Sequence, residues 1–214
     1  MSKYQAVIFD LDGVICFTDQ YHFRAWKAVA DKLGIYFDEV INNRLRGVSR
    51  MDSLEIILER YDGALSAEEK LALAEEKNDL YRTLLADMSP SDLSDEVKHT
   101  LDALRAAELK LAIGSSSKNT KFILERLGLS GYFDAISDGT NITRSKPDPQ
   151  VFTMAADFLG LPAKDCLVVE DAEAGIRAAV AGGFDSAGLG EAATCGLATY
   201  AMERFGDLLG IATK

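Results

Sequence analysis

The amino-acid sequence predicts an α/β protein: a doubly wound parallel sheet, interrupted after its first strand by an all-helical insert. Two observations carry this. Short, nearly unbroken apolar runs recur at Tyr4–Phe9, Leu109–Gly114 and Cys166–Val169, as in strands buried on both faces of a parallel sheet. Between residues 17 and 87 no convincing strand occurs, and the pattern is helical throughout.

Taken in order, the first strand runs into Phe9-Asp10-Leu11-Asp12-Gly13-Val14, with Gly13 as turn residue. Thr18 or Asp19 can cap a helix through Leu33, which Gly34 stops. Ser49-Arg50-Met51-Asp52 opens a helix to about Tyr61, and Ser66-Ala67-Glu68-Glu69 opens a longer one to about Asp87, both at capping-box spacing. On the longer helix Leu73, Lys77, Leu80 and Leu84 form one stripe. A helix over Asp95–Ala107 precedes the Leu109–Gly114 strand, and a further helix ends at Leu127 before Gly128. Phe133–Ser137 is a weak strand. Asp148 caps the next helix with Pro149 at its first position, and Gly160 stops it. After the Cys166–Val169 strand come Glu170-Asp171, a helix over Ala172–Ala181 and a last strand, Phe184–Leu189. Strand–helix alternation implies right-handed crossovers and a Rossmann-like core of residues 1–16 and 88–214, with a helical cap of residues 17–87. The tail from Glu191 carries no readable pattern.

At 214 residues, 48% hydrophobic and 27% charged, the chain is ordinary and globular and long enough for a real core. A net charge of -11 argues against nucleic acid or an anionic membrane as partner, and requires local cations for any anionic substrate. No apolar run is long enough to span a bilayer. Met1-Ser2-Lys3-Tyr4 leads directly into a strand, unlike a signal peptide. Cys16, Cys166 and Cys195 are odd in number and widely spaced, which suits reduced thiols in a cytoplasm better than a disulfide framework or zinc site. The expectation is a cytoplasmic monomer acting on small molecules.

Three strands end in polar clusters: Asp10/Asp12, Ser115-Ser116-Ser117, and Glu170/Asp171. In a parallel sheet these lie on one edge, where ligands of open α/β sheets bind. Four carboxylates there repel one another unless a divalent cation sits among them, and hard oxygen donors favour Mg²⁺. The serine turn offers hydroxyls and helix N-terminal N–H groups to a phosphate, and Lys146 can neutralise the same anion. A phosphate so held permits in-line attack by a carboxylate, giving an aspartyl-phosphate, with Asp12 as general acid and base. Each piece has a plainer reading. Asp-x-Asp at a strand end is often a turn, a serine triplet often an N-cap, Lys-Pro-Asp-Pro a loop, and Glu-Asp a complement to a helix dipole. All four in this order, each at the expected edge, favour chemistry over coincidence.

These four motifs resemble those of the haloacid dehalogenase-like superfamily over nearly the whole chain. The insert adds Thr18-x-x-x-His22-x-x-x-Trp26, Arg46-Gly47-Val48-Ser49-Arg50-x-Asp52-Ser53 and Glu76-Lys77-Asn78-Asp79. With Ser115-x-Ser117-Lys118-Asn119 in the core, these are similar to the β-phosphoglucomutase family. That resemblance implies interconversion of β-D-glucose 1-phosphate and glucose 6-phosphate through β-glucose 1,6-bisphosphate. It implies Asp10 as nucleophile and Asp12 as acid/base. Mg²⁺ would be held by Asp10, the backbone carbonyl of Asp12 and Asp171, with Glu170 in or near its shell. Ser115, Ser116 and Lys146 would hold the transferring phosphate, and Arg50, Ser117 and Asn119 the other. Lys77, Trp26, Gly47, Val48 and Ser53 would line the sugar side, with Thr18 and His22 at the hinge. By itself Lys77 reads equally as a lysine snorkelling at the edge of an apolar stripe, Arg50 as a surface arginine and His22 as a buried polar residue. Phe17, Ala172 and Gly114 depart from the family pattern. The competing functions are a sugar phosphatase of the same superfamily and a non-catalytic sugar-phosphate binder. A second phosphate clamp favours the mutase, and an intact nucleophile argues against the binder.

Overall fold

The computed structural model describes residues 3–213. β1 (Ala6–Phe9) is followed by α1 (Asp19–Lys32), α2 (Glu39–Asn43), α3 (Arg50–Leu58) and α4 (Ala67–Leu85), with no strand among these described residues. Next come α5 (Asp95–Ala106), β2 (Lys110–Gly114), α6 (Thr120–Arg126), β3 (Ala135–Ser137) and α7 (Gln150–Leu159). β4 (Cys166–Glu170), α8 (Glu173–Ala181), β5 (Asp185–Gly188), α9 (Gly190–Thr194), β6 (Tyr200–Ala201) and α10 (Leu208–Ala212) complete the order. The strands are parallel and ordered β3-β2-β1-β4-β5-β6. This is the doubly wound arrangement, with the order reversing at β1, so the crevice for a ligand opens at the C-terminal ends of β1 and β4. Among the described residues no helix is long and apolar enough to cross a membrane.

β1 is buried along its whole length, and its alternation divides the core. Val7 and Phe9 join Leu111, Ile113, Leu167 and Val169 under α5 and α6. Ala6 and Ile8 join Ala112, Val168, Phe152 and Ala178 under α7 and α8. The helices between β1 and α5 build a separate cluster from Trp26, Val29, Phe37, Ile41, Leu54, Ile57 and Leu73. Their apolar faces are satisfied partly by one another and partly, through Ala25, Tyr81 and Leu85, by the core under the sheet.

Several local expectations shift. The Ser66 box is complete, with Ser66 accepting from Glu69 N–H and Glu69 accepting from Ser66 N–H. At Ser49 only half of it forms, because the Asp52 carboxylate accepts from the Ser49 hydroxyl instead of its N–H. α7 starts at Gln150, whose N–H donates to Asp148, so Pro149 stands at the cap and not inside the helix. The buried stripe of α4 is Leu73, Ala74, Lys77, Tyr81 and Leu85. Leu80 is 36% exposed, because Tyr81 and Leu85 hold the positions one and two turns after Lys77. The patternless tail carries α9, β6 and α10; β6 is only two residues long, too short to show a period. Gly114 has a packing reason: a Cβ there would lie 2.6 Å from the Phe152 ring.

Gly175 gives a test in which packing opposes propensity. Alanine usually stabilises a helix interior by about 1 kcal/mol over glycine. A Cβ at Gly175 would lie 1.9 Å from the Glu170 carboxylate, which is itself 1% exposed and cannot withdraw. Gly175→Ala should therefore destabilise, by about 1–3 kcal/mol, as measured by urea unfolding; a more stable variant would show that the Glu170 pocket is slack.

Candidate active site

β1 and β4 are neighbours in register, Phe9 opposite Val169, so Asp10 and Glu170 emerge side by side. Asp10, Glu170 and Asp171 present oxygens that all lie within 4.8 Å of one another. Lys146, fully buried, reaches Asp10 Oδ1 at 2.5 Å and also donates to Glu170 Oε1. Burial opposes the Lys146 charge, but the two carboxylates outweigh it and hold its ammonium above the ordinary lysine range. Burial, then repulsion from Glu170 and Asp10, raises Asp171 to about 8. Burial with the Asp10 charge raises Glu170 to about 7, against the pull of Lys146. Three carboxylates against one ammonium leave the charge of one divalent cation uncompensated. An all-oxygen donor set of this kind fits a hard cation. Gly13 makes room for it: at φ +87° its missing Cβ would lie 2.1 Å from Asp171 Oδ2.

The Asp12 carboxylate lies outside this cluster, accepting a hydrogen bond from the Thr18 hydroxyl. Thr18 stands at the N-cap of α1 but makes no side-chain cap, its hydroxyl being committed to Asp12. Burial and the nearby Asp10 charge raise Asp12 to about 6. The serine turn follows β2. Ser115 Oγ accepts from Ser117 N–H, Ser117 Oγ accepts from Asn119 N–H, and Ser116 Oγ donates to the Gly47 carbonyl 3.1 Å away. Ser115 and Ser117 thus shape the turn as well as facing the cleft, and Ser116 touches the helical segment.

That segment closes the cleft from above. Lys77 is only 3% exposed, and its Nζ lies over the Trp26 and Tyr81 rings, 4.9 and 4.3 Å from their centroids, and 2.9 Å from His22 Nδ1. Burial and the Arg50 charge lower it to about 7. His22 is held well below the usual histidine range by burial and by Lys77. Arg50 Nη2 donates to Asn78 Oδ1 at 2.7 Å, Asn119 Nδ2 to the same oxygen at 2.9 Å, and Arg82 Nη1 to Asn119 Oδ1 at 3.1 Å. Ser145 Oγ donates to Asp52 across the opposite rim. Val48 and Ser53 line the same cleft of about 1030 Å³ with Gly47, Trp26 and Asp10. Phe17 also lines it and is 74% exposed.

Every candidate site residue read from the sequence therefore borders this cleft or its acidic floor. Asn78, Arg82 and Tyr81 have no role in the sequence analysis, nor does the Asp19–Arg46 ion pair, both of whose residues line the cleft. One signal was available: Asn78 and Arg82 lie one helical turn apart on α4, beyond Lys77. The Lys77 environment sets a pH dependence. The groups facing Lys77 are His22 and Trp26 from α1, Arg50 from α3, Tyr81 from α4 and Asp12. Its folded value of about 7 lies below the unfolded lysine value, so between the two the unfolded chain binds more protons and stability rises with pH. Glu170 and Asp171, raised to about 7 and about 8, act in the opposite sense over part of this range, so the difference is the quantity to measure. In urea unfolding from about pH 6.5 to about 9.5 the parent should gain stability relative to Lys77→Met, and parallel curves would mean that the ammonium stays charged in the fold.

A family model for haloacid dehalogenase-like hydrolases matches residues 4–183. The chain is 43% identical over 190 residues to a β-phosphoglucomutase of Bacillus subtilis (strain 168), across 87% of this chain and 84% of that one. It is 34% identical over 185 residues to a fructose-1-phosphate phosphatase of Escherichia coli (strain K12), across 86% and 95%. The crystal structure of a β-phosphoglucomutase from Clostridium difficile superposes with a TM-score of 0.91 at 37% identity, covering 96% of this chain and 93% of that one. With its acidic edge, serine turn and buried lysine in the expected order, the chain belongs to the haloacid dehalogenase-like hydrolase family, within its β-phosphoglucomutase group.

Proposed function

We propose that this protein interconverts β-D-glucose 1-phosphate and glucose 6-phosphate, with residues 17–87 as a cap over a core of residues 1–16 and 88–214. The observation that carries the reading is one cleft with two poles. At one, Lys146 stands beside Asp10 in the acidic floor, where a bound divalent cation would add the positive charge a phosphate needs; at the other stand Arg50 and Asn119. A sugar with phosphates at both ends fits between them. In the first half-reaction the 6-hydroxyl of glucose 1-phosphate attacks phosphorylated Asp10 and gives its proton to Asp12. The Asp10–phosphorus bond breaks, leaving free Asp10 and β-glucose 1,6-bisphosphate. The bisphosphate then turns end for end. Asp10 attacks the 1-phosphate in line, Asp12 returns the proton to the sugar oxygen, and glucose 6-phosphate leaves. An Asp12 raised to about 6 holds and releases that proton near neutral pH. Lys146, Ser115 and Ser116 steady the transferring group, and Arg50, Ser117 and Asn119 the other phosphate. Lys77, Trp26, Gly47, Val48 and Ser53 line the sugar, and Thr18 and His22 carry cap position to Asp12. Asp10, Glu170, Asp171 and the Asp12 carbonyl would hold Mg²⁺, which when bound offsets the phosphoryl charge. The same reading takes the protein as a cytoplasmic monomer with small sugar phosphates, not nucleic acid or membrane, as partners; the net charge of -11 disfavours nucleic acid and an anionic membrane.

Phosphorus NMR of α- and β-glucose 1-phosphate, with and without Mg²⁺, tests it: isomerised β-anomer supports the mutase, and released phosphate supports the phosphatase. Asp10→Asn should abolish turnover with the fold retained, and Asp12→Asn should slow it by about 10²–10⁴-fold with much less change in metal affinity. Loss of metal with little loss of rate would make the Asp12 carboxylate a ligand. Arg50→Ala should lower isomerisation far more than hydrolysis of acetyl phosphate, because losing one charged partner in a desolvated contact costs roughly 2–5 kcal/mol. Equal losses would remove Arg50 from the distal clamp.

A further inference from the structure

Four side chains form an unbroken line between α3, α4 and the start of α6: Arg82 to Asn119, Asn119 to Asn78, and Arg50 to Asn78. Both ends are guanidinium groups, which only donate. This fixes the chemistry of the amides between them. Arg82 must face the oxygen of Asn119, so the Asn119 NH₂ points the other way. Arg50 must face the oxygen of Asn78, so that oxygen receives both donors. Asn78 Oδ1 thus stands where an anion would collect the same two groups. Asn119 is 5% exposed, so a reversed amide could not turn to water instead. Arg82 is in turn held on α6, its Cζ 4.5 Å from the Phe122 ring centroid, one helical turn after Asn119.

We infer that Arg82 is a positioning residue for the distal phosphate, holding the Asn119 amide so that its NH₂ and not its oxygen faces the anion; this rests on the two-pole reading of the cleft. Without Arg82 the amide can turn over and set a carbonyl oxygen against a phosphate. Arg82 reaches Asn119 from the cap, so the distal donors are aligned only when α4 is docked on the core. The orientation of a core side chain is thereby tied to cap position.

The test uses the whole protein with Mg²⁺. Arg82→Met keeps the stem and removes the donors, and Arg82→Lys keeps one charged donor. Arg82→Met should raise the KM for β-glucose 1,6-bisphosphate about tenfold, with a smaller change in kcat and unchanged thermal stability, and Arg82→Lys should recover most of it. In an Asn119→Ala background Arg82→Met should add nothing, since Arg82 acts through that amide. Nitrogen-15 NMR supplies a readout independent of turnover. The Asn119 side-chain NH₂ signal, identified by its loss in Asn119→Ala, should shift and broaden in Arg82→Met without any sugar phosphate. An unmoved signal overturns the inference, and so does an undiminished loss in the Asn119→Ala background, which would place Arg82 on the phosphate itself. A parent protein that isomerises nothing, yet whose Asn119 signal depends on Arg82, overturns the mutase reading and leaves the positioning role standing.

Discussion

Lys146 lies between Asp10 and Glu170 because β1 and β4 are neighbours in a parallel sheet and end at the same edge. Such an ammonium, taken wholly out of water, is tolerable only between carboxylates, and the carboxylates are tolerable only around a cation. The three groups therefore require one another, and one ammonium is too little charge for three acids. What remains calls for a divalent cation or for protons, which is why burial and mutual repulsion push Glu170 and Asp171 toward neutrality. Two glycines serve the same cluster. Gly13 and Gly175 pass so close to Asp171 and Glu170 that any side chain there would strike a carboxylate.

The helical segment is organised by the complementary constraint. Its own apolar cluster absorbs most of the hydrophobic faces of α1, α3 and α4, while Ala25, Tyr81 and Leu85 join the core under the sheet. Lys77 is buried among aromatic rings, Arg50 is held by Asn78, and Arg46 pairs with Asp19. Three cations of the segment, Arg46, Arg50 and Lys77, line the cleft, facing an acidic floor.

The contacts across the cleft are few and short-ranged: Ser116 to Gly47, Ser145 to Asp52, and Arg82 and Asn78 to Asn119. The first two join groups on the exposed or half-buried rim, where a hydrogen bond contributes little net stability because water competes for it, whereas both contacts to Asn119 reach a buried amide. Together these contacts set how the helical segment sits on the sheet edge.

The order of strands and helices, the acidic strand ends and the serine turn were legible because each rests on local periodicity or on a turn, properties of neighbouring residues. Asp10, Asp12, Glu170 and Asp171 were readable for a related reason: a parallel sheet brings the ends of its strands to one edge whatever the details of packing. Lys146, in a loop, was readable from its place in the ordered motif set. Chain order could not show which face of α4 is buried, since Tyr81 and Leu80 differ by a rotation that only packing against α1 decides. Nor could it show that Thr18 caps nothing and serves Asp12, or that β6 adds two residues to the sheet. Asn78 and Arg82 were invisible as a pair with Asn119 because their meaning lies in a contact between segments 37 and 41 residues apart. The sequence by itself determined which chemistry is present. The tertiary structure alone decided which donors face which acceptors, because hydrogen bonding and burial are properties of distance in space and not along the chain.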